Sequence, residues 1–126
     1  MENTLAPGIT GTHQVTVTTE MTASALGSGN IDVYSTPAMI ALMEKTAMES
    51  IAPYLLAGHT TVGSTVNIRH VKAVKVGLKV TCSTVLTDVE GRKLVFSVEA
   101  HDKSGLIGTG THSRHIIDKD LFMSKL

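Results

Sequence analysis

One stretch of this chain has the periodicity of a helix, and nearly everything around it has the periodicity of strands. Residues 34–37 (YSTP) read as a helix start, with Thr36 at the N-cap and Pro37 at the first helical position. The pattern predicts a helix running to about Leu55, with Gly58 as a stop signal. A β-type run precedes it at residues 13–19, HQVTVTT. Four more follow at residues 60–71, 78–89, 92–101 and 106–117. Short turn signals, Val76-Gly77, Glu90-Gly91 and residues 102–105, separate these four and suit antiparallel hairpins. Residues 25–32 (ALGSGNID) read as a loop, and residues 118–126 as a short terminal turn of helix.

A lone helix with a wide apolar face needs another layer to cover it. The sequence therefore predicts an α+β chain in which one curved antiparallel sheet, a meander of four strands plus the first, wraps around one central helix. Such a protomer keeps an open sheet edge and a half-exposed helix, so a homodimer is expected. The 126 residues suit a single domain spanning 1–126, with neither internal repeat nor linker to divide it.

Composition narrows the function classes. Eleven basic and eleven acidic side chains cancel, so no net field favours nucleic acid or a membrane surface. Aromatic residues are 3% of the chain, which weakens any case for base stacking. The lone Cys82 excludes an internal disulfide and a cysteine-based zinc site, and fits a reducing compartment. The N-terminal ten residues lack a basic segment followed by an apolar one, and no apolar run approaches the roughly 20 residues that span a bilayer. A cytoplasmic protein is the expectation.

The helix carries one residue that does not belong in an apolar stripe. At roughly 100° per residue, Pro37, Ile40, Ala41, Ala47, Met48, Ile51 and Leu55 fall on the same side as Glu44, while Lys45 and Glu49 fall away toward solvent. Glu44 is thus expected near the middle of the buried face. A carboxylate there must shift its pKa or find a partner. It is either a core acid satisfied by backbone donors or water, or an acid or base at the floor of a pocket. Alternation along residues 60–71 sets Val62, Val66, Ile68 and His70 on one face, and Thr61, Thr65, Asn67 and Arg69 on the other. His70 then points with the apolar residues toward the helix, and Glu44 and His70 make a pair able to trade protons or orient water. Thr36 reads first as a plain cap, yet its hydroxyl also lies at the positive end of the helix, where a developing anion is stabilised. Gly63 interrupts its β run, as a bulge or as a place where a ligand approaches the backbone.

Other patterns carry less. His112 and His115 form H-x-x-H, but in a strand that spacing turns the rings to opposite faces, so no shared metal is expected. Residues 105–110 (GLIGTG) lack the strand-to-helix setting of a phosphate loop, and no G-x-S-x-G elbow is present. Arg69, Lys72, Lys75 and Lys79 form a modest basic cluster that reads as a solvated face or a contact for a phosphorylated ligand.

Four segments together resemble the hot-dog-fold acyl-CoA thioesterases, in particular the fluoroacetyl-CoA thioesterase group. They are STPAMIALMEKTAMESIAPYL, TVGSTVNIRHVKAVKVGLKV, VEGRKLVFSVEAHD and GTHSRHII, spread in order from Tyr34 to Ile117. The resemblance implies a hot-dog fold and hydrolysis of a thioester borne by coenzyme A or a carrier protein. It implies no cofactor, coenzyme A being part of the substrate. By position it implies a catalytic set of Thr36, Glu44 and His70, with Gly63 and Arg114 on the substrate. Glu44 and His70 would activate water, with a covalent route through Glu44 or Thr36 left open. The fluoroacetyl-specific members carry phenylalanines in a lid ahead of the central helix. Residues 26–33 (LGSGNIDV) have none, so a general or different short acyl-CoA, rather than fluoroacetyl-CoA, is the expected substrate. A hydratase or dehydratase of acyl thioesters and a non-catalytic acyl-CoA binder are the competing classes on the same fold.

Overall fold

A computed structural model describes residues 4–126. The first three residues of the N-terminal stretch read above for a leader lie outside the described residues. Strand β1 (Thr10–Thr16) and a short helix α1 (Ala23–Leu26) lead to the long helix α2 (Thr36–Ile51). Then come β2 (His59–His70), β3 (Lys79–Glu90), β4 (Lys93–Asp102), β5 (Gly105–Asp118) and a terminal helix α3 (Lys119–Ser124). All five strands form one antiparallel sheet in the order β1-β3-β4-β5-β2. Among the described residues, no helix is long and apolar enough to cross a membrane.

The order corrects the expected four-strand meander. Only β3, β4 and β5 form one; β2 pairs with β5 and ends the sheet. Val76-Gly77 is therefore not a hairpin turn. The connection after β2 crosses the start of α2, where Val74 is buried and its carbonyl accepts from the Tyr34 N–H at 2.8 Å. It then reaches the far edge, where the Gly77 N–H donates to the Val17 carbonyl and Val17 in turn donates to the Leu78 carbonyl. Gly77 takes φ +95°, a left-handed conformation that glycine adopts without a side-chain clash.

The register shifts after Gly63, after Leu86 and after Ala100, and each such irregularity bends a strand and adds twist. The bent sheet wraps one face of α2. Met39, Met43, Ala47 and Ile51 meet Leu94, Phe96 and other residues of β3, β4 and β5 in one fully buried cluster. At Gly108 the helix comes so close that an added Cβ would stand 2.5 Å from the Met39 sulfur. Phe96 is 0% exposed and its ring stacks on His112, centroids 6.3 Å apart. Phe96→Ala should cost about 3–5 kcal/mol, because it removes a large buried side chain and leaves a cavity that the sheet cannot close. Urea unfolding at constant m-value checks this.

The helix itself starts and stops differently from the sequence reading. Ser35 is the N-cap, its hydroxyl accepting from the Ala38 N–H at 3.1 Å, and Thr36 is the first helical residue. The helix ends at Ile51 rather than running on to Leu55, and a 3-10 turn (Ala52–Tyr54) follows. Pro53 has no N–H to continue the helical ladder, which accounts for the early end.

Candidate active site

Because Ser35 caps the helix, the Thr36 hydroxyl is free for other work. It hydrogen-bonds His70 Nδ1 at 2.8 Å, joining the start of α2 to the end of β2. The pair lines a cleft of about 470 Å³ with Ser28, Gly29, Ile31 and Val33 of the preceding loop. The His70 ring stands edge-on to Tyr34, centroids 6.5 Å apart. Burial, with the Cys82 thiol close by, pushes the Tyr34 phenol up to about 12, so it stays neutral. His70 Nε2 is buried and has no hydrogen-bond partner among the described residues.

Glu44 does not sit in the middle of the buried face. That face centres on Met39, Met43 and Ala47, and Glu44 lies one residue step, roughly 100°, around the helix from Met43. Its side chain is 39% exposed. Periodicity counts Ile40, Ala41 and Met48 toward the buried face because they are apolar. Yet Ala41 is exposed in this chain, and Ile40 and Met48 are only half-buried.

The ionic partner of Glu44 is Arg114 on β5, Oε2 to Nη1 at 3.7 Å. Arg114 is 5% exposed and almost fully occupied: Nε donates to Thr61 Oγ1 at 2.7 Å, Nη2 to the Thr61 carbonyl at 2.9 Å. Its Nη1 also approaches His112 Nε2 at 3.2 Å. His112 Nδ1 is 2.8 Å from the Thr65 carbonyl. Burial pushes the His112 pKa below the ordinary histidine value; the Thr65 bond and the Glu44 charge oppose this, and the Arg114 charge adds to it. Burial likewise lowers Arg114, with Glu44 opposing. Gly63 closes the cluster. A Cβ there would stand 3.1 Å from Glu44 Oε2, 3.3 Å from the His112 ring and 3.4 Å from Arg114 Nη1.

A bulge makes this arrangement compatible with the strand. Gly63 opposes Arg114 and Thr65 opposes Ser113, leaving Ser64 as the extra residue. The period of two slips there. Thr61 and Gly63 face the helix before the bulge, and Val66, Ile68 and His70 face it after. Val62 is thus on the opposite face from His70, contrary to strict alternation, and Thr61 is on the inner one.

The five candidate residues therefore fall into two groups. Thr36 and His70 form one, at the start of α2. Glu44, Gly63 and Arg114 form the other, two helical turns on, about 12 Å along the axis. Within one chain Glu44 meets Arg114, not His70. His112 and Thr61 complete the second group. Sequence reasoning set His112 aside as half of an H-x-x-H pair, although its spacing from Arg114 (i, i+2 on a strand) already placed both on one face. His115 turns the other way and contacts Ser64 at 3.0 Å. Of the basic cluster, Lys72 is tied to Asp102 at 2.6 Å and holds its carboxyl down at about 2.

Residues 17–120 match the family model described as FlK, fluoroacetyl-CoA-specific thioesterase. A fluoroacetyl-CoA thioesterase from Streptantibioticus cattleyicolor is 39% identical over 95 residues, 75% of this chain and 68% of that protein. A solved structure of the fluoroacetyl-CoA thioesterase FlK superposes with TM-score 0.90 at 34% identity, covering 96% of this chain and 94% of that one. A thioesterase superfamily member from Thermus thermophilus gives TM-score 0.88 at 30% identity, covering 95% and 89%. The sheet wrapped on a central helix is the hot-dog fold, and the chain belongs to the fluoroacetyl-CoA-specific thioesterase (FlK) family.

Proposed function

We propose that the protein hydrolyses a short-chain acyl-CoA to the free acid and coenzyme A, working as a homodimer in which two copies complete each site. The observation that carries this reading is the 2.8 Å contact between Thr36 and His70 inside a cleft, in a chain of a thioesterase family. A thioester carbonyl has little resonance stabilisation and a thiolate leaves readily. The reaction needs an activated water and a place for the oxyanion, and we assign no metal or cofactor to it.

With Nδ1–H donating to Thr36, the lone pair of His70 is on Nε2, buried and unpartnered among the described residues. There it takes a proton as water attacks the thioester carbon, and returns it to the departing thiolate. The Glu44 carboxylate orients that water and stabilises the imidazolium. Gly63, bare of a side chain beside Glu44, gives the acyl carbonyl close access to backbone. Arg114, its Nε and Nη2 held by Thr61, acts through Glu44 rather than on the substrate directly. No aromatic ring from residues 26–33 covers the cleft, which supports a short acyl group other than fluoroacetyl. A cytoplasmic setting accords with the free, buried Cys82.

The two groups of residues act on one thioester only if a second copy brings them together. β2 ends the sheet, so one side of its backbone has no strand partner among the described residues. An antiparallel pairing of two β2 strands centred between Val66 and Asn67 sets Gly63 of one copy across from His70 of the other. The same pairing covers the half-buried Ile40 and Met48 that flank Glu44.

A thiol-release screen across short, branched, aromatic and long acyl-CoAs tests the reading. We expect one equivalent of free thiol per acid, fastest with a short chain. Consumption of an unsaturated or hydroxylated acyl-CoA without thiol would establish a hydratase instead. Binding without turnover for every acyl group would establish a carrier.

A further inference from the structure

We infer that His112 is a positioning residue of the thioesterase site: as a neutral imidazole it fixes Arg114, and through Arg114 the direction of the Glu44 carboxylate. The inference rests on the thioesterase reading above and adds a residue to it. The hydrogen bonds of the ring settle its protonation state. Thr65 contributes a carbonyl, which only accepts, so His112 Nδ1 carries the proton and donates. Arg114 Nη1 only donates, so His112 Nε2 must present its lone pair. Both ring nitrogens are thus assigned by partners that have no alternative role, and an imidazolium would leave two donors facing each other across 3.2 Å.

The consequence for Glu44 follows from how Arg114 is held. Thr61 takes Nε and Nη2 and anchors that edge of the guanidinium, so its remaining freedom is a tilt about the edge that carries Nη1. Nη1 is the corner nearest Glu44, and His112 is what holds that corner from the other side. The groups facing the His112 ring are Arg114 from its own strand, the Thr65 carbonyl from β2, Glu44 from α2, and the uncharged ring of Phe96 from β4. Among the described residues Arg114 is therefore the one cation against it and Glu44 the one anion. Loss of the Nε2 acceptor lets Nη1 turn toward Glu44 and draw the carboxylate away from the water it orients. A displacement of about 1 Å of a group in contact with the reacting atoms lowers turnover by as much as ~100-fold.

Two substitutions separate this role from plain packing. His112→Asn keeps a donor for the Thr65 carbonyl and loses the acceptor for Arg114. His112→Gln reaches far enough to present a carbonyl oxygen where Nε2 stands. We expect His112→Asn to lower kcat roughly tenfold or more with KM within about twofold, and His112→Gln to recover most of that loss. Both variants should melt at similar, lowered temperatures. Equal kcat in the two, or kcat that simply follows the melting temperature, overturns the inference. In the unsubstituted protein, nitrogen-15 histidine spectra at neutral pH should show His112 as the Nδ1–H tautomer; an imidazolium or an Nε2–H tautomer overturns it whether or not the variants fold. Wild-type protein that releases no thiol would instead defeat the thioesterase reading itself, leaving the spectra to decide the tautomer alone.

Discussion

Glu44→Gln should lower kcat for the best acyl-CoA by roughly two orders of magnitude or more, with little loss of folding. The amide has the shape of the carboxylate and still offers an oxygen to Arg114 Nη1, which stands 3.7 Å away. On the proposed mechanism, what it loses is the negative charge that would orient water and stabilise a protonated His70. The fold should tolerate the change because Thr61 already satisfies two of the three guanidinium nitrogens of Arg114. His112 Nε2 remains for the third. A buried cation loses its counter-charge, so a modest drop in melting temperature is expected alongside the kinetic loss. Stopped-time thiol release and a thermal melt on the same sample separate the two effects. Near-normal turnover in this variant would remove Glu44 from the chemistry.

Mixing two dead variants should restore activity. On the proposed dimer, Glu44→Gln and His70→Ala homodimers would each lack one half of every site. In a mixed dimer one site has lost both groups and the other has both intact, provided that Glu44 and His70 of different copies serve the same thioester. With random exchange, half the dimers are mixed and each has one of two sites working, so about a quarter of wild-type activity should return. If each chain instead carries a complete site, mixing returns nothing. The structure makes the first outcome the expected one. Glu44 and Thr36 are about 12 Å apart along a rigid helix. Gly63 and His70 are roughly 20 Å apart along β2. Neither gap closes by side-chain motion. Refolding the variants together from denaturant, then assaying thiol release, reads the result directly.

The sequence determined more of this protein than its element types. The one helical stretch among five β-type runs required a sheet wrapped on a helix, because nothing else in the chain covers so wide an apolar face. The bounds of β2 to β5 lie within a residue of those read from alternation and turn signals, whereas β1 runs over Thr10–Thr16, three residues ahead of the run read at 13–19. Glu44 and His70 stood out as polar groups on apolar faces, Thr36 as a hydroxyl at the positive end of the helix and Gly63 as a break in its β run; the resemblance grouped these four and added Arg114.

Tertiary structure decided the rest, at points where local pattern is blind. Strand order is one: Val76-Gly77 looks like a hairpin turn, but β2 finds its ladder on β5 and the chain crosses to the far edge. The bulge at Ser64 is another, since one unpaired residue reverses which side chains face in, and periodicity counts straight through it. The capping hydroxyl belongs to Ser35 rather than Thr36, a one-residue difference that releases Thr36 to bind His70. Finally, the spacing of apolar residues along a helix cannot tell a face that meets its own sheet from one left half-bare beside an open edge. Periodicity therefore sets Glu44 at the centre of the buried arc, whereas packing leaves it at the border, next to Arg114.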